Sequence, residues 1–255
     1  MILCVIQVRI SSSRLPGKAL LPVLGSPLLS WVINRVRLAL ALDRIVVATT
    51  LEVDDDPIVR LCRQEEVECF RGSKDDVVDR FYQCAVRYKP VGVLRITADC
   101  PLIDPGIIDM VVDRFQSAGG TLDLVSNDGD SYPDGLDAGI YSFRALERIH
   151  REARLPSDRE HITPYIWNHP ELFSVEVLRC SENLSHYRLT VDYEEDLELV
   201  RRIYAALHPV NPSFTWLDVI DFLIRNPGIY RLNSHYTRNE GYLESLKRER
   251  LIVKG

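Results

Sequence analysis

The order of the apolar runs constrains this chain most. Through the first half, short strand-like stretches alternate with longer stretches of helical period. Strands are expected at 2–8, 44–50, 68–71 and 91–97, with helices at about 27–41, 55–66, 75–88 and 105–117. Parallel strands cannot be joined by hairpins and need crossover helices, so the alternation predicts an α/β fold whose mostly parallel, Rossmann-like sheet is flanked by helices. The second half is less regular, with strands near 122–126, 137–142, 174–179 and 187–191 and helices near 143–153, 158–168, 194–206 and 215–225. No repeat or Ser/Gly-rich linker divides the 255 residues, and 46% hydrophobic residues are ample for a core. We expect one unit over residues 1–228 and an extension over 229–255. The extension mixes Tyr236, Tyr242 and Leu246 with many charges, so it is expected to pack on the body or on a second subunit.

Ligands of such sheets bind beyond the carboxyl ends of the strands, so the loops after the strands are where chemistry is sought. The loop after the first strand, Arg9-Ile-Ser-Ser-Ser-Arg-Leu-Pro-Gly-Lys18, packs three cations and three hydroxyls into ten residues. Residues 1–42 carry five Arg or Lys and no Asp or Glu, although the chain's formal charge is −6. Local cations beside Ser and Gly at a strand end suit a polyphosphate, whose oxygens take both charge and backbone N–H donors. Lys18 leads into Ala-Leu-Leu-Pro with no hydroxyl after it, which separates this loop from the Gly-Lys-Ser/Thr pattern of P-loops. Thr49, Thr50, Arg71 to Ser73 and Thr97 to Asp99 are expected on the same rim.

Two further strands end in carboxylates. In Arg95-Ile-Thr-Ala-Asp-Cys-Pro-Leu-Ile-Asp104, Asp99 is placed to hold Mg²⁺, which takes one or two carboxylates and fills its octahedron with water and phosphate oxygens. Asp104, before Pro105, reads as a helix N-cap. In Arg188-Leu-Thr-Val-Asp192, the aspartate serves equally as a second metal ligand or as the cap of the helix at 194–206.

Gln7 to Lys18, Phe70 to Asp76 with Asp79-Arg80, Arg95 to Asp104, Tyr132-Pro-Asp-Gly-Leu-Asp137, Ser157 to Pro164, Arg188 to Asp192 and Arg238 to Tyr242 follow one another in a matching order. On these motifs the chain resembles the SpsF-like spore-coat polysaccharide proteins, a branch of the acylneuraminate and Kdo cytidylyltransferases. The resemblance implies a GT-A-like nucleotidyltransferase fold, CTP as donor, Mg²⁺, a sugar-acid acceptor, release of pyrophosphate and a homodimer. By motif it implies that Arg9, Arg14 and Lys18 hold the triphosphate, Ser11, Ser12 and Ser13 line the nucleotide with Thr97, and Arg71 and Ser73 lie near the base. It implies Asp99 and Asp192 as the metal pair, with Arg9, Arg14, Lys18 and Asp99 carrying catalysis. Tyr132, Asp134, Asp137, Arg159, His161 and Arg188 are expected to face the acceptor; His161 by itself reads as readily as a satisfied buried histidine. Two departures stand out: Ala138-Gly139 replaces Val-Glu, which bears on the acceptor pocket, and Tyr-Glu follows Asp192 in place of Thr-Pro.

Other classes have less support. A glycosyltransferase of the same architecture would need a D-x-D motif, which Asp54-Asp-Asp56 and Asp128-Gly-Asp130 satisfy literally, but both sit in turn and cap contexts. A nucleotide-binding protein without activity would not need every cation and both carboxylates. The acidic net charge argues against a general nucleic-acid binder. The N-terminal apolar run spans only seven residues, and no segment reaches the roughly 18 apolar residues of a membrane span, so a cytoplasmic protein is expected. Cys4, Cys62, Cys69, Cys84, Cys100 and Cys180 form no C-x-x-C pair and read as reduced packing thiols.

Overall fold

The computed structural model describes residues 1–12, 14–129 and 131–252, with the side chains of 248–252 left aside. Strand β1 (Ile2–Gln7) opens the fold, and a two-residue ribbon, β2 (Pro22–Val23) and β3 (Ser26–Pro27), leads into α1 (Leu28–Arg37). Then come β4 (Arg44–Thr50), α2 (Asp56–Gln64), β5 (Glu68–Gly72), α3 (Val77–Tyr88), β6 (Gly92–Thr97) and α4 (Pro105–Ser117). The second half adds β7 (Leu124–Ser126), β8 (Gly139–Ser142), α5 (Phe143–Glu152), α6 (Pro156–His161), α7 (Thr163–Asn168) and β9 (Val175–Val177). It closes with α8 (Glu194–Leu207), α9 (Trp216–Arg225), α10 (Pro227–Tyr230) and α11 (Glu240–Ile252).

The main sheet runs β5-β4-β1-β6-β8-β7-β9. Only β8 opposes the other strands, pairing antiparallel with β6 and β7, so the mostly parallel sheet is present as expected. Both faces are covered, which is why β1 reads as an unbroken apolar run: Ile2, Cys4 and Ile6 enter one core cluster while Leu3 and Val5 enter the other. α1, α4, α8 and α9 cover the first face, and α3, α5 and α7 the second. The chain builds β4 and β5 outward from β1 and then returns to lay β6 on its other side. The loops leaving β1 and β6 therefore part from each other above the sheet and open a crevice. All six cysteines are free.

Several elements differ from their expected extents. The helix expected at 158–168 is broken at Ile162, whose φ of 63° lies in the left-handed region, and it restarts as α7 with Pro164 in its first turn. The strand expected at 187–191 makes only an isolated bridge between Asp134 and Arg188. Its backbone instead donates from Leu189 to the Asp134 carbonyl at 2.6 Å and from Val191 to the Asp99 carbonyl at 2.8 Å. This close approach depends on Gly135, with φ of 99°, since a Cβ there would lie 2.4 Å from the Thr190 nitrogen. Asp104 caps α4 as expected, accepting from Gly106 N at 2.9 Å and from Trp216 N at 2.9 Å. Asp192 does not cap α8: the residue before that helix is Tyr193, and buried Asp196 accepts the N–H groups of Asp192 and Tyr193 at 2.8 and 3.0 Å.

Candidate active site

The loop after β1 is held at both ends before it meets any ligand. Ile10 N donates to Asp55 Oδ1 at 2.8 Å, and the Ile10 carbonyl accepts from Ser12 N and Gly17 N at 2.8 and 3.1 Å. Gly17 takes a left-handed φ of 71° that turns the chain into the 3-10 helix Lys18–Leu20. Asp55 is buried and also accepts from Thr49 Oγ1 at 2.8 Å and Thr50 N at 3.0 Å. Thr49 and Thr50 thus turn inward to Asp55 and leave the rim, and Asp54-Asp-Asp56 is part of the scaffold, as its turn context implied.

At the end of the loop, Lys18 Nζ lies 2.8 Å from Asp99 Oδ2, 2.8 Å from Asp192 Oδ1 and 2.8 Å from the Val191 carbonyl. Arg14 Nη2 reaches the same Asp192 oxygen at 2.8 Å and has Glu244 at 3.8 Å on its other side. Burial opposes the charge on each of these groups. For Asp99 the Lys18 charge and hydrogen bond outweigh it and hold the carboxyl well below the usual range. Lys18 is raised by its two aspartates against the same penalty. Two carboxylates therefore converge on one cation, with oxygen donors only. This donor set suits Mg²⁺, whose remaining positions phosphate oxygens and water would fill. Among the described residues no cluster of three or more His, Cys, Asp or Glu forms a cage of its own.

Asp192 is further fixed by Arg188, a buried guanidinium that spans Asp134 at 3.1 Å, Asp192 at 3.3 Å and Asp196 at 2.9 Å. Beyond it lies a second acidic pair. Arg238 contacts the Asp137 carboxylate directly, donates to the Tyr132 carbonyl at 2.9 Å and has Asp128 at 3.7 Å. Burial lifts Asp137 to about 7 and Asp134 to about 6 against the pull of Arg238 on both and of Arg188 on Asp134, with nearby carboxylates adding to the rise.

These groups line one cavity of about 980 Å³. Of the residues expected there, Arg9, Ser11, Ser12, Arg14, Lys18 and Thr97 line it with Asp99 and Asp192. Asp134, Asp137, His161 and Arg188 line it as well. Four do not line it. Arg71 is spent on Asp56 at 2.7 Å and on the Thr50 and Glu52 carbonyls, and the Ser73 hydroxyl accepts from Asp76 N. Tyr132 is buried with its hydroxyl 3.7 Å from Met110 Sδ, and Arg159 is tied to Asp76. Ser13 and Asp130 lie outside the described residues. Asp128, expected as a turn residue, does line the cavity.

Sequence reasoning missed the far wall. Arg238, Asn239, Gly241, Tyr242 and Ser245 line the cavity, so the stretch expected to pack on the body or on a second subunit contributes side chains to it. Ser245 Oγ donates to Glu160 at 2.9 Å and sits 3.0 Å from His161 Nε2, while Glu160 holds Arg9 at 3.2 Å. Burial, with Arg95 and Arg9 nearby, lowers His161 to about 4 although Glu160 raises it, so the imidazole is neutral at pH 7. A signal for two other missed residues was present: Arg80 and Arg95 are charges inside runs that otherwise read as core, Val77-Val-Asp-Arg-Phe81 and Val93-Leu-Arg-Ile96. Among the described residues no helix is long and apolar enough to cross a membrane.

A profile of the cytidylyltransferase family matches residues 3–213. The spore coat polysaccharide biosynthesis protein SpsF of Bacillus subtilis is 33% identical over 89% of this chain and 95% of its own length. The 3-deoxy-manno-octulosonate cytidylyltransferase of Zea mays is 36% identical over 45% of this chain and 38% of its own. Among solved structures, a cytidylyltransferase from Leptospira borgpetersenii serovar Hardjo-bovis superposes with a TM-score of 0.87 at 32% identity, covering 92% of this chain and 99% of that one.

Proposed function

The chain belongs to the cytidylyltransferase family and is a nucleotidyltransferase of the CMP-sugar-synthetase-like kind; from that premise we propose that it transfers CMP from CTP to a hydroxyl of a sugar acid, with release of pyrophosphate, in the biosynthesis of a surface polysaccharide. The observation that carries this reading is the meeting of Asp99 and Asp192 at the Lys18 ammonium, where the cationic loop ends. Phosphates drawn to Lys18, Arg14 and Arg9 would take over donors that now serve carboxylates. Asp99 and Asp192 would then be free to hold Mg²⁺, which when bound supplies charge neutralisation at the phosphates and acidifies a coordinated hydroxyl.

The residues of the chain act by position and charge. The acceptor hydroxyl attacks the α-phosphorus and gives up its proton to water, the bond to the bridging oxygen of the pyrophosphate breaks, and the negative charge leaving with that group is met by Lys18 and the two loop arginines. Asp134 and Asp137, each backed by an arginine, accept hydrogen bonds from acceptor hydroxyls and orient the attacking one. Neutral His161 offers a hydrogen bond without adding charge. The acceptor class draws on the likeness to the Kdo cytidylyltransferase and the polysaccharide on the likeness to SpsF. A cytoplasmic homodimer completes the proposal, to be checked by mass in solution.

The test is a pyrophosphate-release screen of the four nucleoside triphosphates against sugar acids and their neutral counterparts. CTP with a sugar acid is the expected productive pair. Release of a nucleoside diphosphate from a sugar nucleotide, with none of pyrophosphate from CTP, would overturn the reading in favour of a glycosyltransferase.

A further inference from the structure

A second group of cations, Arg9, Arg80 and Arg95, lies away from the Lys18 corner, and of the three only Arg9 has a carboxylate partner among the described residues. Arg95 on β6 projects into the cavity two residues after Val93 of the α3-side core. Its Nε donates to the neutral amide of Gln7 at 3.2 Å, and Tyr141 lies beside it. Among the described residues no carboxylate stands within ion-pairing distance of Arg95. Arg9, two residues beyond Gln7, lines the same corner and has Glu160 at 3.2 Å. Behind them Arg80 is entirely buried: Nη1 donates to the Ser73 carbonyl at 2.7 Å, while Nε and Nη2 have no hydrogen-bond partner. Gly72 makes room for it, since a Cβ there would lie 2.9 Å from Arg80 Cγ. Burial and the charges of Arg9 and Arg95 press Arg80 down to about 10, although Asp55 and Asp76 pull the other way.

Register places the partner of Arg95 across the sheet. Arg95 pairs with Gly139 on β8, and Gly139 pairs with Ser126 on β7. Paired residues share a face, so the three form a row along the cavity floor of cation, gap and hydroxyl. Ser126 is 1% exposed and its Oγ has no partner, although the residue lines the cavity. The glycine is not sterically required: a Cβ at 139 would meet only ordinary contacts of 3.6–3.8 Å with Ser126, Leu124 and Tyr141. A glutamate at this position, as in the Val-Glu pattern from which this chain departs, would stand directly across from Arg95. Gly139 leaves that cation to an outside partner. Buried donors without acceptors are costly, and the unpartnered Ser126 hydroxyl in the cavity wall, beside an Arg95 with no carboxylate and with the buried charge of Arg80 near it, marks a place built for an anion.

We infer that Arg95 and Ser126, flanked by Arg9, backed by Arg80 and opened by Gly139, form an oxyanion-binding subsite distinct from the Lys18, Asp99 and Asp192 centre, where a carboxylate or phosphate group of a substrate is held. This deepens the proposed transfer reaction and rests on the cavity being its site. An oxyanion accepts from the forked guanidinium donors and from the Ser126 hydroxyl at once, which a neutral hydroxyl cannot match.

Calorimetry with three probes separates the possible sources: CTP, inorganic tripolyphosphate, and 3-deoxy-manno-octulosonate added to the CTP-loaded enzyme. The variants are Arg95→Gln, which removes the charge, and Gly139→Glu, which supplies an internal carboxylate; circular dichroism checks that each folds. The expected result is a tenfold or greater loss of affinity for at least one probe in both variants. Loss with CTP and tripolyphosphate assigns the subsite to the nucleotide's phosphates, and loss confined to 3-deoxy-manno-octulosonate assigns it to the acceptor's carboxylate. Binding of all three probes as in the wild type by either folded variant overturns the inference. Wild-type protein that binds tripolyphosphate but not CTP would sink the cytidylyltransferase reading while leaving the subsite standing; wild-type protein that binds none of the three ends both.

Discussion

Lys18 and Arg95 are cations of one cavity in opposite states. Lys18 is held by two carboxylates and a carbonyl, all at 2.8 Å, whereas Arg95 leans on a neutral amide. The Lys18 corner is a closed exchange: a phosphate that takes the ammonium releases Asp99 and Asp192 in the same event, so binding there rearranges existing pairs. Arg95 has no carboxylate to release, and an anion arriving there displaces only the neutral Gln7 amide. A charge with its partners in place and a charge waiting for one thus line the same cavity, and pairing state, more than charge itself, distinguishes what each can do.

The contrast can be broken most forcefully at Lys18. Lys18→Ala should lower pyrophosphate release by roughly a hundredfold or more, the scale of losing one charge-stabilising donor; near-normal turnover with CTP would remove the lysine from the reaction. Asp192→Asn should cost about tenfold or more in turnover, a barrier increase of about 1.4 kcal/mol, and shift the magnesium titration, because it removes the negative charge that Arg14 and Lys18 share. An unchanged titration would leave Asp99 as the sole metal carboxylate. Asp55→Ala tests a purely structural acid: with donors from Ile10, Thr49 and Thr50 left unmatched in a buried place, stability should fall by about 3 kcal/mol, seen as a lowered Tm. Arg71→Ala should change the KM for CTP less than about threefold, within the small range of surface substitutions, since its guanidinium serves Asp56 and two carbonyls; a large rise would bring it back to the nucleotide.

The smallest effect is a slope. Asp134 and Asp137 are raised to about 6 and 7 in the fold, so the folded protein holds protons that the unfolded chain gives up near pH 4. Their contribution to stability is full below about pH 4 and is lost as pH rises through 6 to 7. Denaturation midpoints should drift down across that window, and Asp137→Asn should flatten the drift.

The sheet was legible because its signal is local. Strands β1 and β4 are covered on both faces and so read as apolar runs, β6 does so but for Arg95, and Asp104 before Pro105 announced the start of α4. The break at Ile162 was written only in Pro164, which a helical period over 158–168 overrode. Segment 187–191 alternates like a strand, but its N–H groups go to the carbonyls of Asp134 and Asp99, and nothing in its composition encodes that destination. At the site, the residue types of the loop and of both aspartates were readable, whereas their meeting depends on contacts across 81 and 174 residues of chain. Arg71 and Arg159 carry the right charge for ligand roles, but neighbouring carboxylates claim both. Arg238 reaches Asp137 from 101 residues away, a pairing no periodicity reveals.

The wall made by residues 238–245 also sets an order of manufacture. A nascent chain that has emerged through residue 230 already carries the cationic loop, Asp99, Asp192 and every strand of the sheet, so it can adopt most of its fold while its cavity still lacks one side. Synthesis of residues 238–245 is then what gives the cavity its remaining side. A stop codon shortly after Arg231 should yield a soluble product with an open flank, and a bulky fusion joined just behind α11 should disturb catalysis more than the same fusion placed ahead of β1.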